Sequence, residues 1–289
     1  GQPLVIAELL HRTKHGLIDE SLHSRMGAET TNGDGFGVGW YLDRDRTLPA
    51  RYRSVNPAWN DANLRELADH IESPLFLAHI RAAVGSPVQQ TNCHPFRHGR
   101  WLFVHNGLLG GFQALRRDLL LAVDPSLFPS IAGSTDSELL FHLALTFGLE
   151  DDPLGAMERA VGLVESKAGE HDVENPVQMT VGISDGERLW AIRYSSQHQS
   201  RTLFVSEDVD ALRRLHPDNE RLQRLREGDL ARVSRVHRPN PGGRRRQPAA
   251  VPAALSGVRH RAGGLGRWLW LAAFDLGLFL LRARGRGRP

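Results

Sequence analysis

Apolar residues recur along this chain with two different periods. Leu4, Ala7 and Leu10, and later Leu64, Leu67, Ala68 and Ile71, follow the three-and-four spacing of a single helical face, which predicts short amphipathic helices near 4–12 and 61–72. Apolar runs bounded by turn-forming residues predict strands at 36–42, 75–80, 101–105, 177–183, 189–194 and 202–205. Asp185-Gly186 separates two of these runs and marks a tight antiparallel hairpin, because both residues tolerate positive φ. Thr135-Asp-Ser-Glu138 reads as a capping box, with the Thr135 hydroxyl accepting from a free amide and Glu138 reaching back, so a helix is expected to start near Asp136. A further helix is expected from about 154 to 165, before a polar loop at 166–176. No internal repeat is visible, and the pattern is that of an α+β protein.

Composition sharpens this picture at one point, near Arg232. The chain has 289 residues, 40 % hydrophobic and 24 % charged, enough for a sizeable core and too apolar for a disordered or collagen-like protein. From Arg232 onward the texture changes to Arg, Pro and Gly, with thirteen arginines, no lysine and one acid, Asp275. We therefore expect a body at 1–231 and a disordered or helical basic tail at 232–289. The net charge of +3 is the sum of an acidic body and this basic tail. An acidic body gives no reason to expect nucleic-acid binding. Trp268 to Leu281 is the most apolar part of the tail, but it is interrupted by Asp275 and is shorter than the roughly 20 residues of a spanning helix, so only an interfacial helix is open to it.

Four short stretches carry candidate chemistry: Asn32 to Tyr41 with glycines at 33, 35, 37 and 39; Ala78-His-Ile-Arg81; Thr91-Asn-Cys-His-Pro-Phe96 followed by Val104-His-Asn-Gly107; and Ser134 to Glu138. Glycines at period two do not make a phosphate loop and point to close strand packing. Arg81, at the end of a strand, is either a solvated or ion-paired arginine or a bidentate clamp for a carboxylate. Asn106-Gly107 is either a turn or an oxyanion hole, formed by the Asn amide and the Gly N–H. Asp136 is either a helix-dipole partner or a ligand for an ammonium group. The only cysteine, Cys93, precludes an intramolecular disulfide and fits a reducing, cytoplasmic setting. His94 and His98 have i, i+4 spacing, but Pro95 between them argues against a shared helical face, and no metal site is expected.

Taken together and in this order, the stretches resemble the class II glutamine amidotransferases, which use an N-terminal nucleophile. The resemblance covers about residues 1–230. It implies a four-layer αββα sandwich of two mainly antiparallel sheets and hydrolysis of a γ-glutamyl amide without a cofactor. It also implies that Arg81 binds the α-carboxylate, Asp136 the α-amino group, and Asn106 with Gly107 the oxyanion. His79, His94 and His105 are expected to pack and hydrogen-bond near the pocket. Free glutamine and a γ-glutamyl conjugate, such as an ergothioneine-pathway intermediate, are both open as substrates, and ammonia is released or passed to a separate synthase. The family begins its mature chain with the nucleophilic cysteine, whereas this sequence begins Gly-Gln-Pro-Leu. The resemblance places Gly-x-Pro several residues after that cysteine, so a preceding strand that starts Met-Cys is expected, and without it the chain should be inactive. Cys93 is read as a structural thiol, because it and His94 point to opposite sides of an extended segment. A catalytically dead amino-acid-binding or regulatory module is the alternative.

Overall fold

The computed structural model describes residues 3–13, 16–22, 31–42 and 48–198, followed by short pieces at 204–206, 210, 213–214, 217–218, 223, 234–236, 256–259, 269–273 and 278–282. Its strands are β1 (Leu4–Val5), β2 (Phe36–Tyr41), β3 (Ala50–Ser54), β4 (Glu72–Ser73), β5 (Leu75–Ile80), β6 (Phe96–His98), β7 (Trp101–Leu109), β8 (Val177–Ser184), β9 (Leu189–Ser195), β10 (Phe204–Ser206), β11 (Ser234–Val236), β12 (Ser256–Arg259), β13 (Leu269–Ala273) and β14 (Leu278–Arg282). The helices are α1 (Ala7–Leu10), α2 (Leu17–Leu22), α3 (Ala62–His70), α4 (Phe112–Leu121), α5 (Asp136–Thr146) and α6 (Pro153–Glu170). They build two antiparallel six-stranded sheets, ordered β10-β13-β14-β5-β2-β3 and β11-β12-β9-β8-β7-β6, and a small β1-β4 pair. Among the described residues, no helix is long and apolar enough to cross a membrane.

Each sheet buries one face under helices, and the two remaining faces meet. Phe36, Val38, Phe76, Ala78 and Ile80 alternate along β2 and β5 and pack with residues of α1, α2 and α3. Trp101 and Phe103 on β7, with Val181, Ile183 and Ile192 of β8 and β9, pack against α4, α5 and α6. Phe103 stacks on Phe141 of α5 with ring centroids 5.0 Å apart. These are four layers, helix–sheet–sheet–helix, as the resemblance implies.

The inner faces come close because β2 carries glycine there. A Cβ on Gly35 would lie 2.7 Å from the Cys93 sulfur, one on Gly39 would lie 2.9 Å from Leu102 Cδ1, and one on Gly37 would overlap the His94 carbonyl oxygen. The period-two glycines therefore serve close packing, and they let residues 93–95 run between the sheets. At the far end of β2, the Tyr41 hydroxyl donates to the Arg100 and Ser184 carbonyls at 2.7 and 3.0 Å, joining the sheets a second time.

Several local expectations change. The segment 4–12 is a two-residue strand followed by a single helical turn, because Leu4 and Val5 pair with Ser73 and Glu72. Asn106-Gly107 is not a turn: β7 continues through it, paired Asn106↔Thr180 and Gly107↔Met179 with β8. Helix α6 runs on to Glu170 through the expected polar loop, with Val164 and Ala168 buried and Lys167 bonded to Glu170 at 2.8 Å. In the capping box, Thr135 Oγ1 accepts from Glu138 N at 3.1 Å, but Glu138 accepts from the Ala132 and Gly133 amides and does not reach back to Thr135. The predicted hairpin forms, with Asp185 Oδ1 accepting from the amides of Glu187 and Arg188. The described pieces of the tail have extended backbone. Strand β14 lies along β5 (Leu278↔His79) and β12 along β9, because β5 and β9 would otherwise present unpaired N–H and C=O groups.

If glycine contact sets the sheet spacing, Gly37→Ala should lower stability by roughly 1–3 kcal/mol in urea unfolding, the usual range for overpacking. Gly169→Ala on α6, where an added Cβ meets nothing within 4 Å, should leave the midpoint unchanged or raise it. Equal midpoints for Gly37→Ala and wild type would refute the packing role.

Candidate active site

The cleft lies between the end of β5 and the stretch 105–108 of β7, and three loops brace it. Asp34 ties the start of β2 to the end of β5: its amide donates to the Arg81 carbonyl at 3.1 Å, and its carboxylate accepts from Ala83 N at 2.8 Å. Asn92 joins the other two loops, donating to the Pro87 carbonyl at 2.9 Å and accepting from Ser134 N at 2.9 Å. Arg81 is 4 % exposed, so it is not a solvated surface arginine. Its guanidinium donates to Ser86 Oγ at 2.7 Å and to the Pro87 and Asp34 carbonyls, and among the described residues it has no carboxylate partner. A buried cation held only by neutral oxygens is left with charge to offer an anion.

On the opposite sheet, β7 and α5 supply the other polar groups. Asn106 is 1 % exposed, and among the described residues neither polar atom of its amide has a hydrogen-bond partner, although a buried amide without partners is unfavourable. Gly107 has φ 150°, and a Cβ there would overlap the Gln178 carbonyl and sit 2.8 Å from His105 Nε2, so only glycine fits. Asp136 opens α5 with Oδ2 accepting from Leu109 N at 2.8 Å and Oδ1 from Ser137 N at 2.7 Å. Arg81, His79, His94, His105, Asn106, Gly107, Asp136 and Ser137 thus line one cavity of about 90 Å³. That is well below the roughly 300–1,000 Å³ of a drug-sized site, so the cavity suits a small polar head group.

The floor of the cavity is a set of neutral histidines. His79 and His94 are ring neighbours with centroids 4.2 Å apart, and His94 also meets Phe96 edge-on at 4.5 Å. Burial pushes His79 down to about 3, and His105 and Arg81 nearby add to the drop. Burial also pushes His94 far down, followed by the effect of His79, and it lowers His105, although Asp136 pulls that ring back up. The packing role expected for these histidines fits their positions.

Every residue singled out from the sequence for binding, namely Arg81, Asn106, Gly107 and Asp136, lies on this one cleft. Cys93 does not. Its thiol is buried, directed at the Ser54 and Gln89 carbonyls at 3.4 and 3.7 Å, and burial raises its pKa. Sequence reasoning missed Ser137, Ser86 and Asp34. Ser137 lies inside the quoted Ser134–Glu138 motif, and its position after a candidate ligand was the available signal.

The fold and cleft define a two-sheet sandwich whose small pocket brings together a buried cation, a carboxylate and a buried amide. Residues 13–230 match the family model for class-II glutamine amidotransferases, and the chain belongs to that family. A Saccharomyces cerevisiae protein named as the probable glutamine amidotransferase DUG3 is 39 % identical over half of this chain and 42 % of its own length. A Mycolicibacterium smegmatis γ-glutamyl-hercynylcysteine sulfoxide hydrolase is 31 % identical over 66 % of this chain and 74 % of its own. A solved class-II domain protein described as a glutamine aminotransferase, from Silicibacter pomeroyi, is 41 % identical with a TM-score of 0.53, covering 60 % of this chain and 72 % of that one. The chain therefore spans less than half of the yeast relative and about three quarters of the mycobacterial one.

The buried histidines make stability depend on pH. A histidine whose folded pKa lies below its ordinary 6.5 leaves the unfolded chain holding more protons in acid, so its contribution is complete above 6.5 and is lost as pH falls toward the folded value. Between pH 6.5 and 4.5 the unfolding free energy should fall by up to about 1.4 kcal/mol per pH unit for each such residue. His79→Gln should flatten that slope in urea titrations, and an unchanged slope would contradict the neutral floor.

Proposed function

We propose that this cleft binds the α-amino-acid head of glutamine or of a γ-glutamyl conjugate and supports hydrolysis of its side-chain amide. The observation that carries the reading is the convergence on one cavity of Arg81, Asp136 with a lone pair to spare, and the Asn106 amide, where among the described residues Arg81 has no carboxylate partner and the amide no partner at all. In this reading Arg81 pairs with the α-carboxylate, for which a planar guanidinium is suited. Asp136 takes the α-ammonium, and the Asn106 amide with the Gly107 N–H receives the negative charge that develops on the amide oxygen. The buried surroundings strengthen those contacts, because the donors are already desolvated and fixed.

The attacking thiol is the one group that the described residues do not bring to the cleft. We assign it to an N-terminal cysteine of the kind the family resemblance implies. The cysteine's own α-amine takes the thiol proton as sulfur adds to the amide carbon and returns it to the leaving nitrogen, so the oxyanion collapses with loss of ammonia, and water then releases glutamate from the thioester and restores the thiol. The ammonia is released or consumed by a separate synthase, and the body at 1–231 is the catalytic unit. The hydrolase name of the mycobacterial relative makes a γ-glutamyl conjugate the second substrate to try.

Calorimetry on residues 1–289 should show L-glutamine binding, with Arg81→Ala weakening it by tenfold or more. When the chain is preceded by a strand starting Met-Cys, glutamine-dependent ammonia release should appear and should vanish when that cysteine is replaced by alanine. In the same extended protein, Asn106→Ala should lower kcat about 10²–10³-fold with a smaller effect on KM. Unchanged turnover would remove Asn106 from the oxyanion role, and absence of glutamine binding in the wild type would overturn the reading as a whole.

A further inference from the structure

Ser137, the second residue of α5, is 5 % exposed and touches two groups of the cleft at once. Its Oγ lies 2.8 Å from His105 Nδ1 and 3.1 Å from Asp136 Oδ1, and its own N–H donates to that same Oδ1 at 2.7 Å. The other carboxylate oxygen, Oδ2, accepts from Leu109 N at 2.8 Å. Strand β7 thus holds Asp136 at two points, directly from Leu109 and indirectly from His105 through Ser137. Asn106 and Gly107 lie between those points in the chain.

The hydrogens can be placed by counting. An ionised carboxylate only accepts, and a hydroxyl has a single hydrogen. If that hydrogen goes to Asp136, the Ser137 oxygen must accept from His105, which requires the proton on Nδ1. His105 Nε2 is then a bare lone pair. It makes no well-aligned hydrogen bond, but the Gln178 carbonyl lies beside the ring and would take an Nε2–H, so what places the proton on Nδ1 is the stronger claim of the Asp136 carboxylate on the Ser137 hydrogen. A carboxylate offers about four lone-pair directions. Ser137 N, Ser137 Oγ and Leu109 N occupy three, which leaves one for a ligand.

We propose that Ser137 and His105 are positioning residues: the relay from His105 Nδ1–H to Ser137 Oγ–H to Asp136 Oδ1 fixes the carboxylate so that its one free lone pair meets the substrate's α-ammonium. The proposal rests on the reading of the cleft as the site for an amino-acid head. It adds that ammonium recognition is locked to the strand that carries Asn106 and Gly107. A helix-start serine that only satisfies its own first turn has no need of His105, and its removal would affect all ligands alike.

The test compares L-glutamine with glutaramate, the same molecule without the α-amino group, by calorimetry on the full chain. Ser137→Ala should weaken L-glutamine about tenfold while leaving glutaramate within about twofold, and Ser137→Thr should restore the difference. Equal losses for both ligands, or no loss for either, overturn the positioning role. Imidazole nitrogen NMR of the ligand-free chain supplies a readout independent of binding. It should show a neutral Nδ1–H tautomer that disappears in His105→Gln and shifts in Ser137→Ala, whereas an Nε2–H tautomer at His105 overturns the relay. Should the wild type bind neither compound, the cleft reading fails and takes the ammonium role with it, while the NMR result still decides whether the relay exists.

Discussion

The close approach of β2 to residues 93–95 governs the rest of this structure. Gly35, Gly37 and Gly39 present bare backbone to the Cys93 sulfur, the His94 carbonyl and the Leu102 side chain, and no other residue type leaves that room. Because β2 is thin on this face, a peptide segment fits between two sheets that would otherwise pack side chain to side chain at about 10 Å. The inserted segment brings His94 against His79, and that pair forms the polar floor on which the cleft stands. The same insertion fixes Cys93 under β3, away from the cavity.

A polar floor between two apolar cores is expensive unless its groups stay neutral or are used. Burial keeps the three histidines in their uncharged form, so the floor avoids the far larger penalty of buried cations. What remains is a set of buried polar atoms without partners, at His79, His94, His105, Asn106 and Thr180, next to a charged rim of Arg81 and Asp136. Stability alone would replace such atoms with apolar ones. Several of them, at His79, His94, His105 and Asn106, cluster on one cavity, where a polar ligand could satisfy them.

Much of this was legible in the sequence because its signals are local. Period-two strands, the Asp185-Gly186 turn and the Thr135 cap each depend on a few neighbouring residues, and each formed. The four candidate residues were legible as a set whose order resembles a family, and one cavity gathers all four. What failed depended on distant partners. Asn106-Gly107 has turn composition but is held straight by pairing with Thr180 and Met179. Glu138 turns to the 132–133 amides because loop 130–135 is folded back over it. Strand β3 was missed because its arginines mask any apolar alternation, and their guanidiniums are satisfied by carbonyls of residues 91–95, which no local pattern foretells. Helix α4 was missed although Leu115 and Leu119 have helical spacing, since Arg116, Arg117 and Asp118 between them break up the apolar run.

The proposed ligand contacts divide between the two halves of the sandwich. Arg81 follows β5 of one sheet, whereas Asn106, Gly107 and Asp136 belong to β7 and α5 of the other. A glutamyl head held by all of them bridges the sheets, so the distance between its carboxylate and its amide must match the spacing that the β2 glycines set. Within the second half, bonds from Leu109 and Ser137 to Asp136 tie the start of α5 to the strand that carries Asn106 and Gly107. The only adjustable dimension is then the one between sheets, and Tyr41, bonded to carbonyls of Arg100 and Ser184, closes it at the far end of β2. Recognition geometry in this fold is therefore set by backbone packing as much as by the side chains that touch the ligand, and a change at Gly37 or Gly39 would act on the cleft without lining it.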